Sequence, residues 1–200
     1  MINIIAQFKE GQVLELTPEM ELQILRYIKD NGEYLGAGTS RAVYEFMNSY
    51  VVKVGLSVEG QLQNKVERDF YHDHWETNLF ATLYATGKFI NIAEKLTRVE
   101  QCDDEDVFCD TVSELNYVTD YDGGDNEQIG YSAARGVWVA YDYGYSTEYS
   151  HCDLVGCMDE WVYELDVIDL AIQGIEEDRT YTSEQLWEIV RNHEEDKFNE

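Results

Sequence analysis

Apolar and polar positions in the first third of the chain predict a helix followed by short strands. Thr17-Pro18-Glu19 places a hydroxyl cap and a proline at a helix start, and apolar residues then recur at helical spacing until Asn31-Gly32. Residues 34–35, 42–46 and 50–54 are β-rich runs separated by turn-forming residues. The pattern predicts an opening helix and a three-stranded meander.

A longer helical segment and two further strands follow the meander. Residues 59–75 carry Leu62, Val66 and Phe70 at i, i+4 and i+8, which predicts an amphipathic helix with these side chains on its buried face. Residues 81–85 and 89–93 are apolar runs typical of strands. The first hundred residues are therefore expected to form three strands, a helix and two strands after the opening helix.

The second half shows weaker periodicity and is predicted to be mostly helical. Residues 101–136 favour acidic loops with one short helix over 107–116, and residues 136–145 alternate as a strand that ends at an aspartate. We expect Gly174 to stop one later helix and Ser183 to cap another. Their apolar faces consist of Trp161, Leu165, Ile168 and Ile172 in the first helix, and Leu186, Trp187 and Val190 in the second.

Length and composition allow a sizeable core. The chain has 200 residues, 44% of them hydrophobic, which suffices for one domain or two closely packed lobes. The sequence has one proline and no low-complexity tract, so no flexible boundary is marked. Neither a secretory signal nor an apolar run of about 18 residues is present. We therefore expect a cytoplasmic protein that does not act at a membrane.

Charge is concentrated in the second half. The chain has 41 acidic and 14 basic residues, and residues 101–200 hold 27 of the former and 4 of the latter. Direct binding to nucleic-acid phosphates requires a basic surface and is not expected. The acidity favours a protein partner with a basic surface, or imitation of DNA charge. A solubilising surface or a high-salt host is the alternative.

Cysteines and histidines do not indicate a metal site. The four cysteines lack the C-x2-C spacing of zinc sites, and a chain of this length without a secretory signal does not suggest a disulfide framework. His72 and His74 would point to different faces of a helix. Seven tyrosines fall within residues 117–149, where either a recognition surface or ordinary packing of a small β element explains them.

The stretch LGAGTSRAV and the lysine strand after it carry the family resemblance. Gly36, Gly38 and Val43 match the first two glycines and the valine of G-x-G-x-x-G-x-V, whereas Arg41 stands at the third glycine position. Lys53 follows within YVVKVG. The order of hairpin, lysine strand, helix, two strands, acidic connector and Asp-Tyr-Gly over residues 34–145 resembles a protein kinase-like fold, in particular the compact kinase-like proteins of bacteriophages.

The resemblance implies an α+β fold in two lobes and a nucleotide site between them. Residues 1–96 would form an N-lobe with an antiparallel sheet, one long helix and the N-terminal helix, and residues 97–200 a reduced, acidic, mostly helical C-lobe. Lys53 would bind ATP phosphates and pair with Glu67, for which Glu59 is a weaker alternative. Residues 94–96 would form the hinge that binds adenine through its backbone.

The remaining kinase features concern magnesium and the catalytic loop. Asp142 of Asp142-Tyr143-Gly144 would hold Mg2+. No His-Arg-Asp triplet exists, and within YVTDYDGGDNEQIGY the candidate catalytic residues are Asp120 and Asp122. A kinase has a metal-binding asparagine five positions after the catalytic aspartate, and here Asp125 and Glu127 stand five positions after Asp120 and Asp122. Asn126 fits as a magnesium ligand with Asp120 only after a one-residue insertion. A register that ends the loop at residues 129–130 would instead place Gly123 at the position of the catalytic aspartate and Gln128 at the position of the magnesium-binding asparagine.

The kinase-like motifs, the missing His-Arg-Asp triplet and the acidic second half together lead to three functional hypotheses. The first is a degenerate kinase-fold protein, a pseudokinase of phage origin, whose acidic half acts on a host factor as an interaction protein or inhibitor in the host cytoplasm. The second is an active small Ser/Thr kinase that uses ATP and magnesium. The third is a DNA-mimic inhibitor of a nucleic-acid-binding protein, in which the kinase resemblance reflects ancestry alone.

Overall fold

The computed structural model describes residues 4–9, 11–38, 40–97, 129–141 and 166–198. The described residues form a mixed α+β structure with a multi-stranded sheet and helices on both of its faces. The strands are β1 (Leu14–Glu15), β2 (Tyr34–Ala37), β3 (Arg41–Phe46), β4 (Tyr50–Gly55), β5 (Leu83–Thr86), β6 (Ile90–Glu94), β7 (Ile129–Ser132) and β8 (Val137–Ala140). The helices are α1 (Pro18–Asn31), α2 (Val58–His74), α3 (Val167–Glu176) and α4 (Ser183–Phe198).

Six strands form one sheet in the order β1-β5-β6-β4-β3-β2, and β7 and β8 form a separate hairpin. The meander of β2, β3 and β4 is antiparallel, as predicted, and β4 continues the antiparallel pairing to β6 and β5. The short β1 differs from the predicted antiparallel sheet because it pairs with β5 in parallel. The β4–β6 pairing places the lysine strand in the interior of the sheet, flanked on both sides.

The helix start predicted at Thr17-Pro18 is confirmed, and α2 begins one residue before its predicted range of 59–75. The Thr17 hydroxyl accepts a hydrogen bond from the backbone N–H of Met20 at 3.3 Å, and proline occupies the first turn of α1. The Ser57 hydroxyl caps α2 by accepting from the N–H of Gly60 at 3.1 Å. Both caps satisfy backbone donors that have no partner within the helix.

The buried face of α2 is not the predicted apolar stripe. Leu62 is 40% exposed, whereas the buried positions include Gln63, Asn64 and Glu67 alongside Phe70. A helix normally buries its apolar stripe. Here the N-terminal half of the helix turns a polar stripe toward the sheet, and hydrogen bonds to strand residues offset the desolvation of these side chains.

Two hydrophobic clusters cover opposite faces of the sheet. Val52 and Val54 of β4 belong to a cluster with residues of α1, α3 and α4, including Ile24, Ala171 and Leu186. The other cluster combines α2 and β5–β6 with the β7–β8 hairpin, and its buried members are Phe70, Tyr71, Phe80, Ala81, Leu83, Ala93, Val139 and Ala140. The helices after residue 166 thus share a core with α1, and the division into lobes at residue 96 stays a prediction.

The two C-terminal helices correct two sequence predictions. Gly174 lies inside α3, and a Cβ there would come 2.9 Å from the Phe89 ring, so close packing accounts for this glycine better than helix termination does. Thr182 rather than Ser183 caps α4, since its hydroxyl accepts from the N–H of Gln185 at 3.3 Å and its own N–H donates to the Gln185 side chain at 3.0 Å. This reciprocal pair is a capping box.

The described residues of the region predicted as acidic loops include an unforeseen strand. β7 pairs with β8 from Ile129↔Ala140 to Ser132↔Val137. The predicted strand over 136–145 is confirmed for Val137–Ala140, and its predicted terminal aspartate and the helix over 107–116 lie outside the described residues. No described helix has the length and apolar character needed to cross a membrane.

A buried carboxylate fixes the turn between β5 and β6 to α1. Glu21 Oε1 accepts hydrogen bonds from the backbone N–H groups of Phe89, at 2.8 Å, and Ile90, at 3.1 Å. Burial raises the pKa of Glu21, and these backbone hydrogen bonds act in the opposite direction. The contact holds α1 against the end of the sheet from which β6 starts.

Candidate functional site

A row of paired residues crosses the sheet at the centre of the candidate site. Gly36 pairs with Val43, Val43 with Lys53, and Lys53 with Asn91. Residues directly opposite each other on neighbouring strands point to the same face of a sheet. Three residues predicted from the glycine hairpin and the lysine strand therefore lie side by side in the order of the strands.

The hairpin that carries the glycines is a tight turn between β2 and β3. Gly38 N donates a hydrogen bond to the carbonyl of Arg41 at 2.9 Å. Gly36 has φ +151°, a conformation that residues with side chains rarely adopt, although a Cβ at this position would meet no atom within 4 Å. The backbone conformation, rather than a lack of space, accounts for glycine at this position.

Lys53 and Glu67 meet on the α2 face of the sheet. Lys53 Nζ lies 2.5 Å from Glu67 Oε1, and only 7% and 1% of the two side chains are exposed. This is the ion pair that the sequence predicted, whereas the carboxylate of the alternative, Glu59, accepts a hydrogen bond from the Ser183 hydroxyl at 3.4 Å. A buried, charge-assisted contact of this kind holds the helix at a fixed distance from β4.

Two glycines bring α2 close enough to β4 for this pair to form. A Cβ on Gly60 would lie 2.6 Å from the Ser40 carbonyl oxygen and 2.8 Å from Gly55 Cα. No side chain fits in such a gap. The first turn of α2 therefore packs directly against the end of β4 and against the turn that precedes β3.

Three donors in the described part of the chain share Glu67. Besides Lys53, Arg41 Nη1 lies 2.9 Å from Glu67 Oε2, and Asn91 Nδ2 donates to the same oxygen at 2.9 Å. The Arg41 side chain is 4% exposed, so both cations are buried with the carboxylate. Arg41 thus replaces the third glycine of the hairpin pattern with a side chain that points into the site.

Asn64 and the residue before it extend this network along α2. Arg41 Nη1 donates to Asn64 Oδ1 at 3.3 Å, and Asn91 Nδ2 donates to the Asn64 backbone carbonyl at 3.0 Å. Ser40 donates to Gln63 Oε1 at 2.7 Å, which ties the turn to the helix. Asn64 Nδ2 is buried and has no hydrogen-bond partner among the described residues.

Sequence reasoning missed the polar partners of the ion pair. The glycine pattern marks Arg41 only as a departure at its third glycine position, and no motif includes Asn64 or Asn91. A signal was present in the sequence, because Asn91 interrupts the otherwise apolar run FINIA and Asn64 precedes Glu67 by three residues. Positions three apart share a helix face, which places Asn64 beside the predicted glutamate.

The segment predicted as a hinge is anchored within the protein. Glu94 N donates to the Thr82 carbonyl at 2.8 Å and Lys95 N donates to the Ser49 carbonyl at 3.1 Å. The Glu94 carboxylate accepts from Arg135 at 2.8 Å and from the Ser132 hydroxyl. These two backbone N–H groups are therefore occupied, and the Glu94 side chain connects β6 to the β7–β8 hairpin.

The predicted catalytic and metal-binding residues are not among those described. Asp120, Asp122, Asn126 and Asp142 all lie in the ranges 98–128 and 142–165, outside the described residues. Within the described part of the chain, no three histidine, cysteine, aspartate or glutamate side chains come together as metal ligands. The structure thus brings together Gly36, Val43, Lys53 and Glu67, with Gly38 in the adjoining turn.

Comparisons with known proteins give little further information. No protein-family model matches the chain. No curated protein matches it. Among solved structures, the ternary complex of streptomycin, ATP and APH(2")-IIa shares 21% identity at a TM-score of 0.35, over 46% of this chain and 32% of that one. This chain therefore spans about a third of that protein's length, and a likeness this weak decides neither fold nor activity.

Proposed function

We propose that this protein has a protein kinase-like fold and binds a nucleoside triphosphate through Lys53. The observation that carries the proposal is the buried contact of 2.5 Å between Lys53 Nζ and Glu67 Oε1 beneath a glycine hairpin. In phosphoryl-transfer proteins of the kinase type, this pair orients the lysine toward the nucleotide phosphates. The bacteriophage origin and the loss of catalysis implied by the resemblance stay predictions.

Strand order also supports the proposal. The lysine strand β4 lies between β3 and β6, and α2 follows it directly in the sequence. The glycine hairpin, Lys53 and Glu67 therefore lie on consecutive elements of the chain. These elements meet at the Lys53–Glu67 contact between β4 and α2. Cationic and amide donors surround that place, as binding of phosphate oxygens requires.

The test is thermal unfolding with ATP and magnesium. Ligand at about 100 times its Kd stabilises the folded state by about 2.7 kcal/mol, which corresponds to a rise in Tm of roughly 5–10 °C for a chain of this size. Wild type should show this rise and Lys53→Ala should lose most of it. Lys65→Ala is the matched control, because Lys65 lies exposed on the same helix as Glu67.

A flat response of wild type to ATP, ADP and GTP with magnesium would contradict the proposal. An equal response of Lys53→Ala and Lys65→Ala would contradict the role of Lys53. Asp142→Ala adds a separate readout, since a magnesium ligand should be needed for the magnesium dependence of the shift.

Phosphoryl transfer is the alternative activity, and it is tested separately. An active Ser/Thr kinase predicts magnesium-dependent transfer of the γ-phosphate of ATP to itself or to a protein in a cell extract. Asp120→Asn and Asp122→Asn should each be compared with wild type, because either residue fits the catalytic position. Nucleotide binding without any transfer would favour the pseudokinase proposal.

The charge of the second half supports a protein partner with a basic surface. Residues 101–200 carry 27 acidic and 4 basic side chains. An interaction protein, or a DNA mimic, should bind a basic partner with an affinity that falls as salt rises, since the Debye length shrinks from about 10 Å at 0.1 M. A DNA mimic should in addition compete with duplex DNA for that partner. Binding that responds to neither salt nor DNA would contradict both versions.

A further inference from the structure

We propose that Arg41 and Asn64 form, together with Lys53, a donor set for the terminal phosphates of the bound nucleotide. The inference rests on the proposed nucleotide site and adds two residues to it. Arg41 would contribute a guanidinium where the hairpin pattern has its third glycine. Asn64 would contribute the amide N–H groups of its side chain.

The first observation is the orphaned donor. Asn64 is fully buried, and its Nδ2 has no hydrogen-bond partner among the described residues. Its amide orientation is fixed by Arg41, which can only donate and therefore requires Oδ1 on its side. An unsatisfied buried N–H group destabilises the folded protein, so a position that keeps one is suited to an acceptor that arrives with a ligand.

The second observation is the chemistry around that donor. Arg41 contacts Asn64 directly, and Arg41 and Lys53 both contact Glu67, which lies one helical turn further along α2. The Asn91 amide donates to Glu67 and to the Asn64 backbone carbonyl, so two cations and one carboxylate lie along this stretch of the helix. A ligand atom that joins this set must accept hydrogen bonds and is favoured if it is negative. Phosphate oxygens meet both requirements, and the planar guanidinium matches them in a bidentate way.

The third observation is the position of the glycine turn. Ser40 binds Gln63, the residue immediately before Asn64, and the Ser40 carbonyl lies against Gly60 one helical turn earlier. The turn thus lies along the same stretch of α2 that carries Asn64. A phosphate group held by the turn would therefore arrive next to Asn64 and Arg41.

Isothermal titration with ATP, ADP, AMP and tripolyphosphate tests the inference on the full chain. Asn64→Asp keeps the side-chain shape but replaces the donor with an oxygen, and Arg41→Gln removes the guanidinium. Each should weaken ATP and tripolyphosphate on the order of tenfold or more, the loss expected for one hydrogen bond to a charged group. AMP, which lacks the terminal phosphates, should change much less. Asn64→Leu provides a second, uncharged removal of the donor, and circular dichroism checks that each variant is folded.

Gln63→Glu is the matched control for the charge introduced by Asn64→Asp, because Gln63 uses its oxygen to bind Ser40 and should give a smaller loss.

If ATP binds and Lys53→Ala abolishes binding, but the ATP-to-AMP affinity ratio is unchanged in the folded Asn64 and Arg41 variants, the inference fails and the proposed function stands. Asn64 Nδ2 would then hold a buried water. If wild type binds tripolyphosphate but no nucleotide, and Asn64→Asp removes that binding, the donor set stands and the nucleotide proposal fails. Binding of neither probe overturns both.

Discussion

Removal of the Glu67 charge should destabilise the protein more than removal of the Lys53 charge. Glu67→Gln keeps the volume of the side chain but leaves Lys53 and Arg41 buried beside a neutral amide. The loss of one partner from a buried ionic network typically costs about 3–5 kcal/mol of unfolding free energy. Lys53→Met should cost less, about 1.5–3 kcal/mol, because Glu67 then keeps its contacts with Arg41 and Asn91.

Urea unfolding followed by circular dichroism gives these free energies by linear extrapolation. Glu176→Gln is the control, since Glu176 makes the same kind of contact with Arg26 at 2.8 Å but both side chains are at least half exposed. That change should cost about 0–1 kcal/mol. The reasoning is refuted if Lys53→Met costs as much as Glu67→Gln, or if Glu67→Gln costs no more than the surface control.

Three further predictions concern the fold around the site. Burial raises the pKa of Glu21 above 4.5, so ionisation of Glu21 weakens the folded state as pH rises, and the Tm of Glu21→Gln should increase relative to wild type between about pH 4 and pH 7. Differential scanning fluorimetry across that range checks this, and a constant difference would contradict it. Gly60→Ala should lose about 1–3 kcal/mol in urea unfolding, because its Cβ would lie 2.6 Å from the Ser40 carbonyl oxygen; a neutral effect would mean that α2 can move away from β4. Thr182→Ala should lose about 1 kcal/mol in thermal unfolding and Thr182→Ser much less, since serine retains the hydroxyl that caps α4.

Local patterns in the sequence predicted elements but not the contacts between them. The caps and turns around α1 and β2–β4 follow from a few residues each, and the structure confirms them. The buried face of α2 differs from the predicted one because periodicity assigns apolar residues to the core, whereas Gln63 and Asn64 are buried by contacts with residues far away in sequence. The role of Gly174 differs from the predicted helix stop for a related reason, since its packing against Phe89 depends on tertiary structure.

The site was predictable only where residue type and spacing carried the information. Lys53 and Glu67 follow a pattern with a known physical purpose, and they do come together. Arg41 breaks the same pattern, and nothing local reveals that its side chain turns inward to the glutamate rather than outward to solvent. A departure from a motif thus located a third charged member of the site without indicating what it does.

The shared core of α1, α3 and α4 has a consequence for biosynthesis. The apolar side chains of β4 on that face are covered in part by Val167, Ala171 and Leu186, which leave the ribosome more than a hundred residues after the strand itself. A nascent chain of 100 to 160 residues therefore displays an uncovered apolar surface, the kind that chaperones recognise and that drives aggregation. Truncation before residue 166 would fix the polypeptide in that unfinished state, even though every residue of the Lys53–Glu67 network had already been made.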